Sequence, residues 1–115
     1  MSPSRLATLR RQTEATAPLF AALGDSTRLS LVLALSGDTR QSIAQLAEKH
    51  VLTRQAISKH LRVLEHAGLV SSQRKGRESL FVLNPGALDA MRSYIDRISE
   101  QWDASLAKLA AFVES

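Results

Sequence analysis

The chain has 115 residues, 44% of them hydrophobic, which is enough for one domain with a modest core and too little for two ordinary ones. It contains no cysteine, so disulfides, thiolate-metal sites and thiol redox sensing within this chain are excluded. Lys and Arg number 15 against 11 Asp and Glu, giving a net charge of +4 and a pI of about 10.1, a balance that suits a polyanionic partner.

Residues 1–16 mix Ser, Thr, Pro and charge and read as a loose or partly helical arm. Pro18 precedes the apolar cluster Leu19 to Leu23, which predicts a first short helix ending near Gly24. Asp25, Ser26 and Thr27 offer capping oxygens for a second helix carrying Leu29, Leu31, Val32, Leu33 and Leu35, closed by Ser36-Gly37-Asp38. The longest apolar runs, Leu31 to Leu35 among them, are far short of the roughly 18 to 20 residues that span a bilayer. Arg5, Arg10 and Arg11 are not followed by an apolar block with a cleavage site, so neither a membrane partner nor a secretory signal is expected, and the expected location is cytoplasmic.

Thr39 or Gln41 opens a third helix with Ile43, Leu46 and Ala47 on one side, and His50-Val51-Leu52 forms a short turn. The next helix is the best signalled element of the chain. Thr53 is placed to cap it and Gly68 to end it in the left-handed conformation. At 100° per residue, Ile57, Leu61 and Leu64 share the inward side; Gln55, Lys59 and Arg62 point away, and Ser58 lies at the flank. Residues 39–67 therefore form a helix-turn-helix. His60 falls at the edge of the core, where packing against the preceding helix is favoured over a base contact. Arg28 is expected to pair with Asp25 or cap a neighbouring helix.

Leu69 to Arg74 and Ser79 to Leu83 flank Lys75-Gly76-Arg77, a pattern for a two-stranded hairpin within 69–83, turning at Gly76. Arg54, Lys59, Arg62, Arg74, Lys75 and Arg77 gather positive charge between the cap and this turn, with Glu65 opposing them. Asn84-Pro85-Gly86 breaks the strand, and a final helix is expected over 87–113. Its apolar residues Leu88, Met91, Ile95, Ile98, Trp102, Leu106, Leu109 and Val113 recur every three or four positions. A helix ~40 Å long outruns the core of a small domain. The stripe therefore reads as a homodimer interface, with Leu19 of the first helix contributing, in preference to a helix folded back on its own chain.

The fold class is mainly α with a small β-hairpin, arranged as one winged helix-turn-helix domain over 1–115. Sequence-specific DNA binding is the first function this arrangement supports. A winged-helix module that binds protein is the alternative, disfavoured because a protein-binding face more often presents aromatic residues or Leu than Arg, Gln, Ser and Lys. No nucleophile and base pair, metal cluster or phosphate-cradling Gly loop is visible, so no enzyme and no cofactor are expected.

Phe20 to Arg28, Ile43 to Ala47, Ile57 to Val70 and Arg74 to Glu78 together resemble the ArsR/SmtB family of winged-helix repressors. The resemblance implies a cytoplasmic homodimeric transcriptional repressor on an inverted repeat, released by a signal. It assigns base reading to Arg54, Gln55, Ser58 and Lys59 and backbone or minor-groove contacts to Arg74, Lys75 and Arg77. Side-chain chemistry agrees: an Arg guanidinium bridges guanine O6 and N7, and a Gln amide bridges adenine N6 and N7, whereas Ser58, Lys59 and Arg62 suit phosphates or mixed contacts. Metal-sensing relatives carry cysteine pairs or Asp/His clusters; here Ser42 to Leu46 stands at the first place and the last helix has no histidine. His50, His60 and His66 include no i, i+4 pair, so no transition-metal site is expected. The ending Gln101 to Leu109 resembles the cysteine-free, non-metal-sensing branch of the family, and that resemblance implies a response to a small organic ligand, to a partner protein or to the chain's own concentration. Trp102 is read as an anchor in the stripe, with a role in lining a ligand cavity as the other possibility.

Overall fold

A computed structural model describes residues 3–37 and 39–114. In chain order it runs α1 (Pro3–Ala22), α2 (Ser26–Ala34), β1 (Gln41–Ser42), α3 (Ile43–Lys49), α4 (Arg54–Ala67), β2 (Val70–Lys75), β3 (Glu78–Leu83) and α5 (Pro85–Glu114). This is the mainly helical, winged arrangement expected from the sequence.

Helix α4 follows its sequence signals closely. The Thr53 hydroxyl accepts from the Ala56 amide at 3.1 Å, and Gly68 closes the helix at φ +91°, where any side chain would be strained. Ile57, Leu61 and Leu64 are fully buried and meet Leu31, Leu35, Leu46, Leu69 and Val70. Helix α4 is thus the centre of the core, packed against α1, α2, α3 and β2.

The N-terminal segment departs from expectation. Residues 3–16, expected as a loose or partly helical arm, are helical throughout, and the helix continues without a break through Pro18. Proline in a helix interior removes one hydrogen bond and costs ~3 kcal/mol. Tertiary contacts offset that cost: Thr16, Leu19 and Ala22 are buried, and Thr13 Oγ1 lies 2.9 Å from the Tyr94 hydroxyl of α5. The rings of Phe20 and Tyr94 also stand 6.0 Å apart in a tilted contact.

Residues 41 and 42 also differ from expectation. Neither Thr39 nor Gln41 opens α3; Gln41 and Ser42 form β1, pairing antiparallel with Phe81 and Leu80 of β3. The hairpin is therefore the larger part of a three-stranded sheet in the order β1-β3-β2. Ser42 then caps α3 through a reciprocal box, its hydroxyl accepting from the Gln45 amide at 3.2 Å while Gln45 Oε1 accepts from the Ser42 amide at 2.9 Å. Ser36 and Gly37 follow α2 as a turn; Asp38, expected to complete it, lies outside the described residues.

Helix α5 spans 30 residues, ~45 Å, starting at Pro85 where the sequence suggested residue 87. Its apolar stripe divides. Met91 and Leu19 of α1 are buried and Leu88 is half-buried against the chain's own core, so the single chain already covers these three. Ile95, Ile98, Trp102, Leu106 and Leu109 remain exposed, and Phe112 and Val113 extend the exposed set. The split arises because the core ends near Tyr94 while the helix continues.

Candidate nucleic-acid interface

Three elements converge at the N-terminal end of α4. Arg54, Gln55 and Ser58 of α4, Ser42 and Ala44 at the start of α3, and Arg77, Glu78 and Ser79 of the wing line a hollow of about 490 Å³. The wing reaches it because β2 and β3 pair in full register from Val70↔Leu83 to Lys75↔Glu78. Gly76 at φ +65° begins the two-residue turn and presents Arg77.

The candidate residues fall into two groups about this helix. Arg54, Gln55, Ser58 and Arg77 share the hollow, whereas Lys59 and Arg62 lie on the other flank of α4, beside α1. Arg74 and Lys75 sit exposed on β2. None of the six cations is paired with a carboxylate among the described residues, so their field is directed outward. Glu65 is drawn aside, accepting from Ser72 Oγ at 2.6 Å. Glu78, the cross-strand neighbour of Lys75, is a second acidic residue near the wing that linear charge counting passes over.

The contacts that hold the wing have no local signature in the sequence. Asn84 Nδ2 donates to the Gly68 carbonyl at 2.8 Å, its amide donates to the Leu69 carbonyl at 2.9 Å, and its Oδ1 accepts from Ser71 Oγ. One side chain therefore ties the end of α4 to both the base of β2 and the start of α5. Asn before Pro gave only a strand-breaking signal, since its partners lie 13 to 16 residues away. The same holds for Arg40, whose guanidinium donates to Gln73 Oε1 at 2.6 Å and braces β2 from outside.

The other face of α4 is anchored at the start of α2. Asp25 caps α2 through the Arg28 amide at 3.0 Å, and Arg28 Nε donates to the Ala22 carbonyl at the end of α1. Arg28 thus caps the neighbouring helix as anticipated. His60 Nδ1 stands 3.8 Å from Asp25 Oδ2, the cap of α2. The Arg28 backbone amide holds the Asp25 carboxyl below its ordinary pKa, opposed by desolvation and assisted by the Arg28 and His60 side chains. A folded pKa below the unfolded one makes this contribution complete above the ordinary aspartate range, and it is lost as pH falls through the folded value. Stability of the wild type relative to Asp25→Asn should therefore shrink on acidification below that range, as followed by urea unfolding at successive pH values. A constant difference would assign the cap no ionic component.

No helix among the described residues is long and apolar enough to cross a membrane. A helix-turn-helix domain family matches residues 23–73. The chain is 43% identical over 72 residues to the HTH-type transcriptional regulator YuzN of Bacillus subtilis, covering 57% of this chain and 78% of that protein. It is 33% identical over 94 residues to an HTH-type transcriptional regulator of Mycobacterium tuberculosis, covering 82% and 84% of the two chains. Among solved structures, an ArsR-like transcriptional regulator from Rhodococcus sp. RHA1 superposes with a TM-score of 0.80 at 37% identity, covering 90% of this chain and 94% of that one. With its helix-turn-helix, wing and long last helix, the chain belongs to the ArsR family of winged helix-turn-helix, DNA-binding transcriptional regulators.

Proposed function

We propose that the protein is a cytoplasmic repressor that binds an inverted-repeat operator as a homodimer, with residues 1–115 acting as one DNA-binding domain. The observation that carries this reading is the hollow at the start of α4, where Arg54, Gln55 and Ser58 face Arg77 of the wing. A major-groove edge against α4 and a phosphate strand against the wing satisfy both sets of donors at once. Arg54 and Gln55 read bases; Ser58, Lys59 and Arg62 hold phosphates; Arg74, Lys75 and Arg77 supply charge along the backbone. Pairing of two copies through Ile95, Ile98, Trp102, Leu106 and Leu109 covers the exposed stripe and sets two reading helices on one duplex. Repression follows from occupying promoter DNA, and no metal enters the scheme. Groups of three or more His, Asp or Glu able to hold a metal ion are absent among the described residues.

Binding should be tightest on duplexes whose half-sites repeat at about one DNA turn, ~34–36 Å, or a multiple of it. Flat affinity across all duplexes at fixed salt would reject the reading. Gln55→Ala should cost ~1–3 kcal/mol at cognate sites and relax preference at one base pair, whereas Lys75→Ala should weaken every sequence and lower the salt slope by ~1. Fluorescence-anisotropy titrations over a salt series separate the two effects; indistinguishable losses would refute the division of labour.

A further inference from the structure

A second concavity lies on the opposite flank of α4 from the wing. Its floor is made by Pro18, Ala21 and Ala22 of α1 with Val63 and Ala67 of α4, and its rim by Lys59, Arg62 and His66. The volume is about 950 Å³, within the range that holds small molecules. Small side chains on both helices leave this space open; Ala21 is exposed and Val63 keeps 43% of its surface in water. None of the described residues lining the groove is acidic, and Lys59, Arg62 and His66 engage no partner among the described residues. The result is an uncovered apolar floor under an uncompensated positive rim.

We propose that this groove binds a free single-chain amphipathic carboxylate, and that its occupation competes with DNA for Lys59 and Arg62. An aliphatic chain on the floor gains the transfer energy of Pro, Ala and Val surface now in water. A carboxylate at the rim gains charge-assisted hydrogen bonds from Lys59 and Arg62. A neutral chain forgoes the second contribution and a cationic one is repelled, so charge complementarity selects the anion. The stretch of α4 from Lys59 to Ala67 is ~12 Å long, short for a protein surface and suited to one flexible chain. Regulation then needs no domain movement. The two cations given phosphates on this flank are the two that hold the ligand, so ligand and DNA each weaken the other's binding by the same factor. The competition rests on the DNA-binding role given above to Lys59 and Arg62; occupancy of the groove does not.

Monomeric dodecanoate is the probe, with dodecanol and dodecyltrimethylammonium as neutral and cationic controls, titrated first without DNA. Dodecanoate should shift the Val63, Ala21 and Ala67 methyl resonances and bind roughly tenfold or more tightly than either control. At saturation it should weaken operator binding by about 5- to 150-fold. Ala21→Trp, on an exposed face of α1, should fill the groove, abolish dodecanoate binding and keep the wild-type melting temperature and operator affinity. Equal binding of all three probes, or none, would overturn the site. A fall in sedimenting mass in Ala21→Trp without dodecanoate binding to the wild type would assign the groove to a second copy of the chain and overturn it also. Dodecanoate binding that leaves operator affinity unchanged would overturn the competition. Absence of operator binding before any dodecanoate is added would overturn the repressor reading instead, since the first titration contains no DNA.

Discussion

Ile98→Asp should convert the protein to a monomer and remove operator binding at concentrations where the wild type is saturated. Ile98 is 46% exposed in the single chain and lies mid-way along the stripe from Ile95 to Leu109. Pairing about a two-fold axis places both copies of the substituted residue in one interface. Each buried carboxylate then costs several kcal/mol of desolvation with no partner to offset it. At 1.4 kcal/mol per decade, the pair weakens dimerisation by roughly a thousandfold or more. Loss of the linked second half-site removes a further ~10²–10⁴ of avidity on the operator. Sedimentation velocity and circular dichroism together check this: halved mass with unchanged helicity is expected, because the site is exposed in the monomer. An unchanged mass would move the dimer contact off α5.

Leu61→Ala should destabilise the fold by ~2–5 kcal/mol, a large share of the 5–15 kcal/mol typical of a domain. Leu61 is fully buried at the centre of the core, on the inward side of the helix whose outward side carries Lys59 and Arg62. The cost combines lost transfer energy with a cavity between α4 and its neighbours, which caps at Thr53 and Gly68 keep from closing by a simple shift. Val63→Ala, two residues away on the same helix, should change stability by no more than ~0.5 kcal/mol, since Val63 is exposed. Denaturant midpoints at fixed chain concentration compare them. Below its midpoint, Leu61→Ala should retain the wild-type order of preference among duplexes, because every side chain proposed to face bases is intact. A scrambled preference would show that core packing sets the pose of α4 on DNA.

Much of this architecture is legible in the residues themselves, and the parts that are not share one cause. Thr53 and Gly68 mark both ends of α4 by local hydrogen bonding and backbone conformation, and Ile57, Leu61 and Leu64 orient it by period. Gly76 marks the wing turn in the same local way. By contrast, α1 persists through Pro18 because Leu19 and Ala22 are buried against distant elements, which propensity cannot weigh against a helix breaker. The strand at Gln41 and Ser42 exists through pairing with residues 80 and 81, and two residues carry no periodicity.

The interface shows the same boundary. Period alone separates the core side of α4 from its outward side. Tertiary structure divides that outward side, turning Arg54, Gln55 and Ser58 toward the wing and Lys59 and Arg62 toward α1. It likewise cuts the stripe of α5, giving Leu88 and Met91 to the chain's own core and leaving Ile95 onward uncovered. A sequence by itself determines which side of a helix is apolar and where the helix starts and stops, because those depend on neighbours within a few residues. Which element covers each side, and how far along it, depends on contacts across the whole chain, so the tertiary structure decided it here.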